Sequence, residues 1–375
     1  MQLISQPVYD DTTLSLFQNL VQDEESYYLW SYPPCNLDQF LQNTSCKSSN
    51  IFLGIKDLLD SWTDFDWWND QQQVGSINIQ EFARRHPDQQ IVLFTSLERL
   101  ERELSEPNLH IIPWGGDWLN QRTEYTNLQP VLDKNFHSDR TYINLNRNVR
   151  SHRVVILSYL LGQGYDTTGV LTYLKNPSKM PDGFLKSIAW QFDIPKHNMI
   201  RESILSGFDR LSITNDDYEI YKNYGQGHTD NAGNFENKLR RMYQNSFVEI
   251  VSETTFTSPS FILSEKTAHA FYGCNFPIIL NGCGSVEHLR DIGLDVFDDI
   301  VDHSYDLVEN PFDRIVTAIE SNRRLLIDTE YVKQAWKTNR SRFERNIEVM
   351  HNMYSWYENR TRQQFAKTLE LIRQI

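Results

Sequence analysis

Cysteine is scarce in this chain: Cys35, Cys46, Cys274 and Cys283 are the only four in 375 residues. Their spacings fit neither a CxxC zinc site nor a dense disulfide framework, so a reducing cytoplasm is the expected compartment. Long apolar runs are missing too. No stretch approaches the roughly 18 residues that a membrane helix needs, and "MQLISQPVYDDTT" carries no basic region followed by an apolar one, which predicts neither a span nor a secretory leader. No Walker A motif, GxSxG, HExxH or kinase signature occurs, which removes the familiar nucleotide-hydrolase, serine-hydrolase, zinc-protease and kinase patterns. Positive charge is short in the first part of the chain. Residues 1–137 hold 8 Lys/Arg against 20 Asp/Glu, whereas the remainder holds 28 against 30. The first part should therefore repel polyanions, and cations collect in the second.

Core-forming residues are plentiful: 39% of the chain is apolar and 13% aromatic. At this length one hydrophobic core rarely suffices, and two domains are expected. "IVLFTS" and "HIIPW" predict short buried strands with a charged helical segment between them. Hydrophobicity falls away around "DKNFHSDR", giving a boundary near residue 137. A second series then alternates: "TYINLN" as strand, "SHRVVILSYLLG" as a helix capped by Ser151, and "SFVEIVSE" as strand. Next come "FILSEKTAHAF", predicting a strand to about Leu263 and a helix from about Ser264, then "FPIIL" as strand and "NGCGSVEHLRDIG" as a helix capped by Ser285. This alternation is that of a doubly wound α/β sheet. The loops "KNPSKMPDGF" and "NYGQGHTDNAGN" interrupt it, the second either a surface loop or one that closes over a ligand. After Pro311 the pattern is helical. The expected parts are thus residues 1–137, 138–328 and 329–375.

Ligands of open α/β sheets bind beyond the carboxyl ends of the strands. Three such ends carry notable groups: Arg147, Arg150, His152 and Arg153 after the first strand of the second series, Ser252 and Glu253 after the next, and Ser264, Glu265 and Lys266 at the following helix start. Lys266 faces the positive end of a helix dipole, at a cost of about 0.3 to 1 kcal/mol unless an anion compensates. Arginines and a lysine converging on helix N-termini suit a diphosphate, and a carboxylate beside them suits ribose hydroxyls. Each group also has an ordinary reading as surface ion pair, cap or packing residue. "DFD" at 64–66 fits an Asp-x-Asp metal pattern, but 50 acidic residues produce such a match by chance, and no metal is assigned.

"FILSEKTAHAFYGCNFPIIL" resembles the donor-binding segment of GT-B glycosyltransferases, in particular the α1,3-fucosyltransferase type, with Ser264 where Thr is usual. "YINLNRNVRSHRVVILSYL" and "GSVEHLRDIGLDVFDDIVDHSYD" are similar to segments of glycosyltransferase-like proteins of phage and bacteria. The resemblance covers roughly residues 140–325. It implies a GT-B-like α/β fold of two Rossmann-like domains facing a cleft, with a helical C-terminal segment, in a cytoplasmic enzyme, in the host cytoplasm if phage-encoded. It further implies a UDP- or GDP-sugar type donor as substrate, with no cofactor, and a glycan or other hydroxyl-bearing acceptor. Lys266 and the arginines Arg147, Arg150 and Arg153 would hold the diphosphate, and Glu265, with Ser264, Glu253 and Ser252, the nucleoside. Such chemistry can run without a metal. An inverting enzyme needs a base for the acceptor hydroxyl, and Asp117 in "PWGGDW" is the candidate because it follows a strand end and two glycines. Two alternatives stand beside this: a non-catalytic nucleotide- or glycan-binding protein on the same fold, and a phage-type DNA-modifying glycosyltransferase. The second ranks lower, because the acidic first part would meet the DNA.

Overall fold

The structure, a computed structural model, describes residues 2–5, 27–31, 50–55, 74–95, 98–102, 104–114, 128–146, 150–173, 235–254, 256 and 261–374. The chain divides into two units. The first comprises Met1–Arg122, Thr257–Leu263 and Asn352–Ile375, and the second Thr123–Phe256 and Ser264–His351.

The first unit holds a parallel sheet of β1 (Gln2–Ser5), β2 (Tyr27–Ser31), β3 (Asn50–Ile55), β4 (Gln90–Thr95) and β5 (Leu109–Pro113), in sequential order. Helix α1 (Val74–Arg85) precedes β4. Between β4 and β5 the sequence predicts a charged helix, but the described residues there form only a short 3-10 turn at Leu100–Arg102. Because the described strands follow chain order, every step across this sheet runs the same way. Among the described strands there is no reversal, and so none of the crevice that a reversal opens.

The second unit is wound differently. Its parallel sheet contains β6 (Tyr142–Asn146), β7 (Gly169–Tyr173), β8 (Val248–Ser252) and β9 (Phe276–Leu280), in the order β7-β6-β8-β9. The chain leaves β6 in one direction to β7 and then returns to β8 on the other side. Tyr142 accordingly lies opposite both Gly169 and Val248. Every residue of β6, β8 and β9 is buried; β9 is accordingly apolar throughout, whereas β6 and β8 also bury Asn144, Asn146, Glu249 and Ser252.

Helix α2 (Ser151–Gly162) connects β6 to β7 and is apolar almost all round, as a helix buried on every side must be. Helix α3 (Arg240–Gln244) leads into β8, α4 (Glu265–Tyr272) links β8 to β9, and α5 (Ser285–Ile292) follows β9. Beyond these come α6 (Pro311–Ser321), α7 (Arg323–Ile327) and the 44-residue α8 (Thr329–Ile372). The early turns of α8 anchor in the second unit through aromatic packing. Trp336 donates its ring N–H to the Cys274 carbonyl at 2.7 Å, and Phe343 meets Trp336, Phe276 and Phe297 at ring separations of 5.6, 5.1 and 4.5 Å.

Three local expectations change. "FIL" is not a strand: Phe261 forms one isolated antiparallel bridge with Glu98, and residues 262–264 have no regular structure. Ser151 is the first residue of α2 and not its cap, because the extended Arg150 (φ -136°, ψ 146°) precedes it. Ser285 likewise opens α5, and the cap position belongs to Gly284 at φ 79°, a left-handed geometry that glycine adopts without strain.

Candidate functional site

The reversal of the second sheet falls between β6 and β8, so the position beyond their carboxyl ends is where a ligand of such a sheet would sit. Arg150, Arg153, Ser252 and Glu253 all lie at that edge, and Ser264, Glu265 and Lys266 open the helix that follows β8. Arg147 and Asp117 lie outside the described residues, as do "DFD" and the two loops at 175–184 and 223–234.

These residues separate into an inward-facing set and a partly exposed one. Arg153 is buried, and its guanidinium donates to the carbonyls of Ser252 at 3.2 Å and Glu253 at 3.3 Å, tying the first turn of α2 to the end of β8. His152 is buried beside it. Burial, and then the charges of Arg153 and Arg150, hold its imidazole well below the usual range, so it is neutral. Its Nε2 lies 2.9 Å from the Glu253 carbonyl, which can only accept, so that nitrogen carries the proton. The His152 ring stacks on Phe256 at 5.2 Å, and the buried Arg314 guanidinium covers the same Phe256 ring at 4.7 Å while donating to the Asn281 carbonyl at 2.7 Å. The edge above β8 and β9 is therefore lined by a layer of the chain's own side chains.

Glu253 is fully buried, and its carboxylate is directed at its own protein. Oε1 accepts from the Ser264 amide at 2.9 Å and the Thr267 hydroxyl at 2.6 Å. Oε2 accepts from the Ser264 hydroxyl at 2.5 Å and the Thr254 amide at 3.3 Å. Four donors of this kind hold a carboxylate in place by charge-assisted bonds. Ser252 is buried as well, and its hydroxyl accepts from the Asn144 side-chain amide at 2.9 Å. Asn146 donates to the Asn144 side-chain carbonyl at 2.6 Å, so a polar row crosses from β6 to β8.

The exposed set is smaller. Arg150 is partly exposed, and its side chain makes no capping bond to the helix that it precedes. Lys266 and Glu265 retain 23% and 25% side-chain exposure, enough for a ligand to reach them. Lys266 Nζ donates to Glu265 Oε1 at 2.7 Å and to Ser264 Oγ at 3.1 Å. Burial works against ionisation of Glu265, but the charge and hydrogen bond of Lys266, with His269 behind it, hold the carboxyl down at about 2. The cation that sits at the wrong end of a helix is thus offset by the carboxylate one position before it.

The N-terminus of α5 is also filled from within. Buried Asp306 accepts from the amides of Val286 and Glu287 at 3.1 and 3.2 Å and from the Ser285 hydroxyl at 3.3 Å. "GCG" at 282–284 is accordingly a turn that delivers this helix to its carboxylate. Among the described residues no cluster of His, Cys, Asp or Glu is placed to hold a metal, and no helix is long and apolar enough to cross a membrane.

Sequence reasoning missed Asn144, Asn146, Phe256, Thr267, Asp306 and Arg314. The asparagines had a signal: two polar residues two apart in a buried strand share one face. Arg314 had none, since a lone arginine in an amphipathic helix reads as surface. No family model and no curated protein matches the chain.

Proposed function

We propose that the protein is a nucleotide-sugar-dependent glycosyltransferase of the GT-B kind, with the donor bound to the second unit, the one whose sheet has the Rossmann-like reversal. The observation that carries this reading is the pairing of topology with exposure. Among the described residues at the sheet reversal, the accessible charged groups are Arg150, Glu265 and Lys266, while Arg153, Ser252 and Glu253 form a buried frame beneath them. A diphosphate suits Arg150 and Lys266, where two helix N-termini add to the field, and Glu265 suits ribose hydroxyls.

The chemistry follows from charge. As the glycosidic bond breaks, negative charge gathers on the departing nucleoside diphosphate. Fixed cations stabilise that charge without reorganising when it appears. The acceptor hydroxyl loses its proton to a base, a role that remains with Asp117. The donor sugar in this reading is carried by UDP, GDP or a related nucleotide, and the acceptor is a glycan or another hydroxyl-bearing molecule.

A thermal-shift panel of nucleotides and nucleotide sugars tests the reading. A donor nucleotide at about 100 times its dissociation constant stabilises the protein by about 2.7 kcal/mol. Lys266→Ala should abolish most of that shift. A panel in which no nucleoside diphosphate or nucleotide sugar moves the transition would overturn the proposal.

A further inference from the structure

We propose that Glu253 is a positioning residue, which acts through Ser264 to hold the Lys266 ammonium where the donor diphosphate binds. The inference rests on the nucleotide-sugar reading above for what Lys266 contacts, but the positioning itself is a property of the free protein.

A single hydroxyl links Glu253 to Lys266. Ser264 Oγ has one proton and two lone pairs. It lies 2.5 Å from Glu253 Oε2, 3.1 Å from Lys266 Nζ and 3.3 Å from Lys266 N. A carboxylate can only accept, and so can nothing but take the Ser264 proton. An ammonium and an amide can only donate, and so both occupy lone pairs. The three contacts are compatible only in this arrangement: Glu253 takes the proton, and the oxygen turns its lone pairs towards Lys266. Ser264 is itself fixed by a second bond, from its amide to Glu253 Oε1 at 2.9 Å.

Glu253 is immobile in turn, with no exposure and further donors in Thr267 and Thr254. Lys266 is thus gripped on two sides, by Ser264 and by Glu265 at 2.7 Å. A lysine tethered this way presents its charge at one place, whereas a free lysine gives up rotamer entropy on binding an anion. Replacing Glu253 by Gln alters this logic more than its small change in shape implies. The amide nitrogen donates, the Ser264 proton is released towards Lys266, and the two donors then oppose each other.

Two measurements on the intact protein test the idea. The first needs no ligand: the rate at which Lys266 is acetylated by a soluble acylating reagent, read by peptide mass spectrometry. Release of the ammonium should raise that rate about fivefold in Glu253→Gln and Ser264→Ala. Ser264→Thr keeps the hydroxyl and should restore the slow rate. Thr267→Val removes a different bond to the same carboxylate, and should lower the melting temperature while leaving the Lys266 rate within about twofold. The second measurement is the dissociation constant of UDP and GDP. Glu253→Gln and Ser264→Ala should weaken the nucleotide that binds by about tenfold, and Glu253→Gln should add nothing in a Lys266→Ala background.

The inference is overturned if Lys266 reacts no faster in Ser264→Ala, or if Thr267→Val frees it as much as Glu253→Gln does, since the role is then merely structural. If the acetylation pattern holds but no nucleotide binds the wild-type protein, the positioning stands and the donor reading fails. Should Glu253→Gln not fold, the Ser264→Ala and Ser264→Thr pair decides the matter alone.

Discussion

At the scale of single residues, two demanding buried groups of the second unit lie away from the carboxyl ends of its strands. Lys134 is buried, and its ammonium donates to the carbonyls of Tyr243, Ser246 and Gly273 at 2.7, 2.9 and 2.6 Å, and to the Asn275 side chain. It joins the segment before β6 to the ends of α3 and α4. Lys134→Met would leave those acceptors buried without a donor, and should cost about 3 kcal/mol or more in urea unfolding. Glu249 on β8 is also buried, with one oxygen accepting from the Tyr243 hydroxyl at 3.1 Å and the other without a partner among the described residues. Burial raises its carboxyl from an ordinary value of 4.5 to about 8, so the folded protein holds a proton that the unfolded chain releases. Its stabilising contribution is therefore complete below about pH 4.5 and is lost as pH rises through about 8. Burial pushes Lys134 down to about 7 from 10.5, which makes stability rise with pH above about 7, the opposite sign. The Glu249 effect is thus cleanest between about pH 5 and 7, where the wild type should lose about 1 kcal/mol per pH unit relative to Glu249→Gln. Parallel slopes for the two proteins would mean that Glu249 is already ionised in the fold.

At the scale of elements, what was legible in the sequence depended on whether the signal was burial or backbone geometry. β6, β8 and β9 fall inside the segments that predicted them, because strands covered on both faces are rich in apolar and β-branched residues, even though β6 and β8 also carry buried polar ones. "FIL" gave the same signal for a different reason: Phe261, Ile262 and Leu263 are buried, but burial alone does not pair a backbone. Helix starts were displaced where the capping residue carries no capping side chain, as at Arg150 and Gly284, whereas Ser264 does cap α4 through the Lys266 amide. In the site, charged residue types at strand ends were legible, but their direction was not. Arg153 and Glu253 turn inward, and only contacts distant in sequence decide that. Asp306 is the clearest case, reaching the start of α5 from about twenty residues away. Asp306→Ala should cost about 1 to 2 kcal/mol by orphaning the first-turn amides, and Asp306→Asn less, since an oxygen remains without its charge. Chemical denaturation of the two variants checks the order; equal losses would show that the charge carries the cap.

For the whole molecule, chain path and function are separable. The chain changes unit after Arg122, Phe256, Leu263 and His351, so α8 begins in the second unit and contributes its last turns to the first. Those turns bury Met353, Tyr357 and Phe365, set Phe365 against Phe94 at 5.6 Å, and place Arg360 2.8 Å from the buried Glu98 carboxylate. Three such side chains represent about 6 kcal/mol of apolar burial, comparable with the whole stability of an ordinary domain. Deletion of Asn352–Ile375 should therefore unfold the first unit. The second unit retains α8 to His351, together with Arg150, Arg153, Ser252, Glu253 and Ser264 to Lys266. If the donor binds as proposed, the shortened protein should keep one calorimetric transition and the nucleotide-induced shift of that transition, while sugar transfer disappears with the base and acceptor contacts of the first unit. Loss of the nucleotide shift with the remaining transition intact would place donor contacts in the first unit and overturn that division of labour.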